Sequence, residues 1–131
     1  MLERRQASTS RRTAGRLSRS AEFDRVYRQG RSVANRYLVL YSFPRGGEDT
    51  PRLGLSVGRK VGGAVDRNLV KRLLREAVGA AGADLSPGYD LVVVARPDAR
   101  ELATSRGLSG ISEAVGELLA KAGIRPTAGA R

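Results

Sequence analysis

The stretch Asp90-Leu91-Val92-Val93-Val94-Ala95 constrains the fold of this chain more than any other. A strand with one wet face alternates apolar and polar residues, whereas a nearly continuous apolar run reads as a strand covered on both faces. Such a strand lies in the middle of a sheet, so the rest of the chain must supply neighbouring strands and covering helices. Two further strands are legible. Residues 37–43 (YLVLYSF) are rich in β-formers, and period-two alternation puts Tyr37, Val39, Tyr41 and Phe43 on one face, with Leu38 and Leu40 on the other. Residues 52–58 (RLGLSVG) place Leu53, Leu55 and Val57 on one face and only Gly54, Ser56 and Gly58 on the other. That small-residue face would let a chain or a base approach the backbone closely. Between them, 44–51 (PRGGEDTP) reads as a loop.

Three segments carry helical periodicity. In 20–29, Phe23, Val26 and Tyr27 recur at helical spacing, with Ser20 as N-cap, Glu22 in the first turn and Gly30 as the stop. In 66–81 the stripe is Val70, Leu73, Leu74, Ala77 and Val78, opened by Asp66 as N-cap and ended by Gly82. In 105–122 it is Leu108, Ile111, Val115, Leu118, Leu119 and Ala122. Residues 1–17 show no apolar period and read as a disordered basic arm, 18–122 as the folded domain, and 123–131 as a flexible tail. The order α-β-β-α-β-α predicts a single α+β domain with helices packed on a small sheet.

Charge narrows the function. The formal net charge is +11, which points to a polyanion, nucleic acid before an anionic membrane surface. Residues 1–36 hold a balance of +7 and residues 59–75 a balance of +5, while everything else sums to −1. Cysteine and histidine are both absent, which removes disulfides, Cys/His zinc sites, thiol nucleophiles and histidine-based triads. It also removes the side chain that titrates near neutrality, so protein-borne catalysis is disfavoured. The acids Asp66, Glu76 and Asp90 read as a cap, a helix-surface residue and a strand-edge residue. No apolar run near 18 residues is present to span a bilayer, and no apolar segment follows the basic start as in a secretory signal. The Arg- and Ser-rich first 20 residues would also suit a transit peptide.

On a helical wheel Arg67, Asn68, Lys71, Arg72 and Arg75 share an arc of about 140°, most of the apolar stripe occupies the remainder, and Leu69 falls at the boundary near 200°. Charge runs are usually just solvated faces, but those normally mix signs. Here Arg67, Lys71 and Arg75 form two successive i,i+4 like-charge pairs, each repelling by a few tenths of a kcal/mol. A polyanion that binds the wall repays that cost, and arginine's planar fork suits phosphate. The glycine-rich connection before the helix is not a nucleotide-binding P-loop. Gly58 and Gly63 have the right gap, but Ala64 and Val65 stand where Lys and Ser/Thr are needed.

The segment RLGLSVGRKVGGAVDRNLVKRLLREA at 52–77 resembles the RNA-binding centre of the bacterial ribonuclease P protein subunit, and the likeness extends through SAEFDRVYRQGRSVANRYLVLY at 20–41 and YDLVVVARPDA at 89–99. The resemblance implies an α/β sandwich with a left-handed βαβ crossover. It implies that Arg59, Lys60, Arg67, Asn68, Lys71, Arg72 and Arg75 face the catalytic RNA. It implies that Phe23, Tyr27, Tyr41 and Ser56 line a cleft for the single-stranded 5′ leader of precursor tRNA, although Phe23 and Tyr27 at i,i+4 suit a core equally well. The family partners are ribonuclease P RNA and precursor tRNA, with no membrane and no small-molecule substrate. Mg²⁺ is held mainly by the RNA, which carries the catalysis, and the setting is cytoplasmic. Two positions depart from the family pattern: Leu69 stands where a second Arg is usual, and Gly63 where Asn is commoner. A ribosomal-type or chaperone RNA-binding protein would share the charge, size and fold type. A DNA-binding module would need a helix-turn-helix, and none precedes 66–79.

Overall fold

The computed structural model describes residues 15–17, 20–47, 51–82 and 85–124. Among these described residues five strands form one mixed sheet: β1 (Gly15–Arg16), β2 (Arg31–Ala34), β3 (Leu38–Pro44), β4 (Arg52–Ser56) and β5 (Tyr89–Ala95), in the spatial order β1-β4-β5-β3-β2. The helices are α1 (Ser20–Gln29), α2 (Ala64–Ala80) and α3 (Ala99–Ala122). The apolar run does form the middle strand. β5 pairs parallel with β4, from Arg52↔Asp90 to Ser56↔Val94, and antiparallel with β3, from Leu38↔Ala95 to Pro44↔Tyr89. Because β4 and β5 are adjacent and parallel, α2 is the crossover of a βαβ unit.

Strand alternation sorts the apolar residues into two layers. Leu38, Leu40, Leu53, Leu91, Val93 and Ala95 face the main core, filled from the other side by Val70, Leu73, Leu74, Ala77 and Val78 of α2 and Leu102, Ile111, Val115, Leu118 and Leu119 of α3. The opposite face is covered by α1. There Leu17, Val26 and Val92 are buried, and Phe23, Tyr41, Phe43 and Val94 pack round them. Leu91 and Val92 are both fully buried although they point to opposite faces, which is the double cover the run required.

Several expectations need correction. The strand β2, absent from the sequence reading, is held by its ladder to β3 and by a tight turn in which Asn35 Oδ1 accepts from the Tyr37 and Leu38 amides at 3.0 and 2.9 Å. Tyr37 precedes β3, so it leaves the alternation and packs on the main core instead of beside Tyr41. The second strand stops at Ser56, and Val57 turns into the main core. The first turn of α2 opens two residues before Asp66, with Gly63 as N-cap and no side-chain cap bond; Asp66 lies within that turn and reaches Arg100 Nη1 at 3.6 Å. The third helix begins at Ala99, not 105, because two helical segments abut at Gly107, whose φ of 59° and ψ of −144° break the helical path. Leu108, just past that break, is exposed instead of buried. Arm residues 15 and 16 form β1, parallel to β4; the rest of the arm up to residue 14, and tail residues 125–131, lie outside the described residues.

Candidate nucleic-acid interface

The wall on α2 stands as the wheel has it. Asn68, Arg72 and Arg75 are exposed, and Arg67 and Lys71 are half-buried, while Val70, Leu73, Leu74, Ala77 and Val78 turn inward. Leu69, ambiguous on the wheel, is half-buried against the main core, so it is a packing residue and not a gap in the wall. Arg72 reaches Glu76 at 3.6 Å, a loose exposed contact worth little. Among the described residues no acid pairs with Arg59, Lys60, Arg67, Lys71 or Arg75. The Arg67 Nε is buried and finds no hydrogen-bond partner among them. A buried donor left without an acceptor is costly. Gly63 has open space where a Cβ would go, so a side chain would be accepted there.

The predicted leader residues come together on the other face of the sheet. Tyr27 and Tyr41 meet edge to face with centroids 5.0 Å apart, and Phe23 lies 6.4 Å from Tyr27. Ser56 sits half-buried on the same face, at the end of β4. Phe23 and Tyr27 play different parts. The Phe23 ring rests on Gly54, where an added Cβ would lie 2.5 Å from Cζ, so the small-residue face of β4 admits this ring. Phe23 therefore seats α1 on the sheet, whereas Tyr27 keeps 38% of its surface exposed and is free to stack on a base. Arg25 and Phe43 extend the cleft, with the guanidinium 5.6 Å from the ring centroid. The alternation of β3 already placed Phe43 beside Tyr41; nothing local in the sequence put Arg25 over it.

Beneath α1 lies a charged cluster that sequence reasoning missed. Asp90, read from the sequence as a strand-edge residue, is fully buried on the central strand. Its Oδ1 accepts from Arg45 Nε and Arg52 Nε at 2.8 Å each, and its Oδ2 from Arg52 Nη2 at 2.9 Å. Arg52 Nη1 then donates to Glu22 Oε2 of α1 at 2.8 Å. Burial pushes the Asp90 carboxyl up, but the bonds from Arg52 and Arg45 outweigh it and hold it below its ordinary value. The same contacts to Asp90 raise the Arg52 guanidinium. Arg52 thus ties α1 to the middle of the sheet, beside the Phe23 seat. Among the described residues no three His, Cys, Asp or Glu side chains gather as a metal site. No described helix is long and apolar enough to cross a membrane.

A mixed sheet with a cationic wall on one layer and aromatic rings on the other defines an α+β protein whose two surfaces have the chemistry that phosphate backbone and unpaired bases require. A family model for ribonuclease P matches residues 12–122. The chain is 48% identical over 87 residues to the ribonuclease P protein component of Shouchella clausii, covering 66% of this chain and 71% of that one. To the component of Clostridium acetobutylicum it is 39% identical over 110 residues, covering 83% and 89%. Among solved structures, the Staphylococcus aureus RNase P protein superposes with a TM-score of 0.77 at 34% identity, covering 86% of this chain and 99% of that one. The Thermotoga maritima RNase P protein gives 0.73 at 30%, covering 81% and 96%. The chain belongs to the ribonuclease P protein family.

Proposed function

We propose that this chain is the protein component of ribonuclease P, which removes the 5′ leader from precursor tRNA in the cytoplasm. The observation that carries the reading is the pairing of two surfaces through one strand. β4 ends with Ser56 on the sheet face that carries the aromatic rings, and the chain then runs through Arg59 and Lys60 into the α2 wall. In this reading the wall of Arg59, Lys60, Arg67, Asn68, Lys71, Arg72 and Arg75 grips the catalytic RNA. The cleft of Phe23, Tyr27, Tyr41 and Ser56 holds the leader, with Tyr27 and Tyr41 stacking on its bases. The RNA carries the chemistry and the Mg²⁺. The protein lowers phosphate repulsion and orders the substrate.

The test is reconstitution. Mixed with a bacterial ribonuclease P RNA and precursor tRNA at low Mg²⁺, the protein should stimulate 5′ cleavage; no stimulation refutes the proposal. Tyr27→Ala should weaken holoenzyme binding of precursor tRNA by roughly 5- to 150-fold, one base stack of about 1–3 kcal/mol, and leave binding of leaderless tRNA unchanged. An equal loss for both substrates would remove the leader from the cleft.

A further inference from the structure

We infer that the sheet edge where β4 and β5 end is a second phosphate-binding surface, on which Arg36, Arg96 and Arg100 hold the backbone of folded RNA; this rests on the ribonuclease P role proposed above. The topology gathers the edge. β4 and β5 are parallel, so the turns that follow them, at 57–63 and 96–98, emerge side by side, and β3 runs antiparallel, so the 35–37 turn joins them. Contacts tie the 35–37 turn to the 96–98 turn, and Arg100 of α3 reaches over the 57–63 turn. The Arg96 amide donates to Tyr37 O at 2.8 Å and its Nη1 to Asn35 O at 3.3 Å, while Arg36 Nε donates to Asp98 Oδ2 at 2.8 Å. Arg100 lies over the bare Gly62, its Cδ 3.2 Å from where a Cβ would be, and points Nη1 at Asp66 Oδ2, 3.6 Å away.

The cations here are oriented but not covered. Arg36 is held by Asp98 through Nε alone and rests 5.7 Å from the Tyr37 ring centroid, yet its side chain is 70% exposed. With one contact to Asp98 and most of its side chain in solvent, its guanidinium is open to a phosphate. Arg100 is likewise 56% exposed, and Arg96 is exposed. With Arg59, Lys60 and Arg67 the edge carries six cations against Asp66, Asp98 and Glu101, a balance of +3. The opposite edge of the same strands shows what a structural role looks like. There Arg45 and Arg52 sit against Asp90 and Glu22, two cations on two acids, largely out of solvent. Arg67, with its unpartnered Nε, stands where the α2 wall meets this edge, so the two surfaces form one continuous cationic band.

Phosphate at this edge has two sources, the catalytic RNA and the body of precursor tRNA. The experiment compares the wild type with Arg36→Gln/Arg96→Gln and Arg36→Lys/Arg96→Lys. One arm measures binding to the ribonuclease P RNA, and the other measures holoenzyme binding to leaderless tRNA, each at several salt concentrations. In the arm that supplies the phosphates, the glutamine pair should lower the magnitude of the log K against log salt slope by about 1.4–1.8, and the lysine pair should keep the wild-type slope. A glutamine pair that melts like the wild type and keeps its slope in both arms overturns the inference. If the Lys71→Gln/Arg75→Gln wall variant lowers the slope while the edge variant does not, the edge alone fails. If the wild type does not stimulate cleavage, the reading beneath it fails.

Discussion

Lys71 stands at the centre of the wall, so its replacement tests binding and stability with opposite signs. It is four residues from both Arg67 and Arg75, and no acid among the described residues pairs with any of the three. If the wall contacts phosphate as proposed, Lys71→Gln with Arg75→Gln removes two of its charges, each contributing about 0.7–0.9 to the salt slope of RNA binding, so the slope should fall by about 1.4–1.8. Between 50 and 200 mM salt, that change makes the loss of affinity roughly 7- to 12-fold smaller for the variant than for the wild type. The same pair of changes removes both i,i+4 repulsions, each about 0.2–0.5 kcal/mol, so the free protein should gain about 0.4–1 kcal/mol. Fluorescence anisotropy with labelled ribonuclease P RNA, at fixed Mg²⁺ and varied monovalent salt, reads the slope, and urea melts read the stability. Arg106→Gln is the control, because Arg106 is already paired with Glu113 on α3 at 2.8 Å and should leave the slope unchanged. A wall variant that binds with unchanged slope, or that loses stability, would refute the argument that function maintains the repulsion.

The buried cluster and the α2 cap yield two further predictions. Asp90→Asn leaves the partly exposed Arg45 and Arg52 facing a neutral amide, at a cost of about 2–4 kcal/mol and a melting temperature lowered by roughly 10 °C or more. Since Asp90 titrates below its unfolded value, its contribution is fully present above about pH 4 and is lost as pH falls through the folded value. Acid titration of wild type and variant should therefore show the stability gap closing below about pH 4, and a gap constant down to pH 2 would contradict the ion-pair account. Gly63→Asn places a capping side chain at a backbone angle any residue adopts, φ −76°, with open space around it. It should stabilise by a few tenths of a kcal/mol in chemical denaturation, and a loss of stability would mean the N-cap geometry is not as described.

Much of the fold was legible because periodicity is local. The run at 90–95 named the central strand, and the wheel of α2 separated wall from core, since both depend only on the spacing of neighbours along the chain. β2 escaped because RSVA is short and polar, and becomes a strand only through its ladder to β3. The start of α3 escaped because 99–107 has weak apolar spacing and Gly107 interrupts the helix. Asp90 was misplaced because a charge at the end of an apolar run looks like a boundary. Its partners stand 38 and 45 residues away in sequence, and no local pattern announces them.

The same division holds for the interface. By itself the sequence determined that this protein carries a one-sided cationic helix beside a doubly covered strand, because charge and hydrophobic spacing are properties of the chain. Tertiary structure decided that Leu69 packs inward, that Phe23 seats a helix while Tyr27 faces solvent, and that Arg36, Arg96 and Arg100 share one edge with the wall. Each of those outcomes depends on which distant residues the sheet register brings within a few ångströms, and register is settled only when the whole core closes.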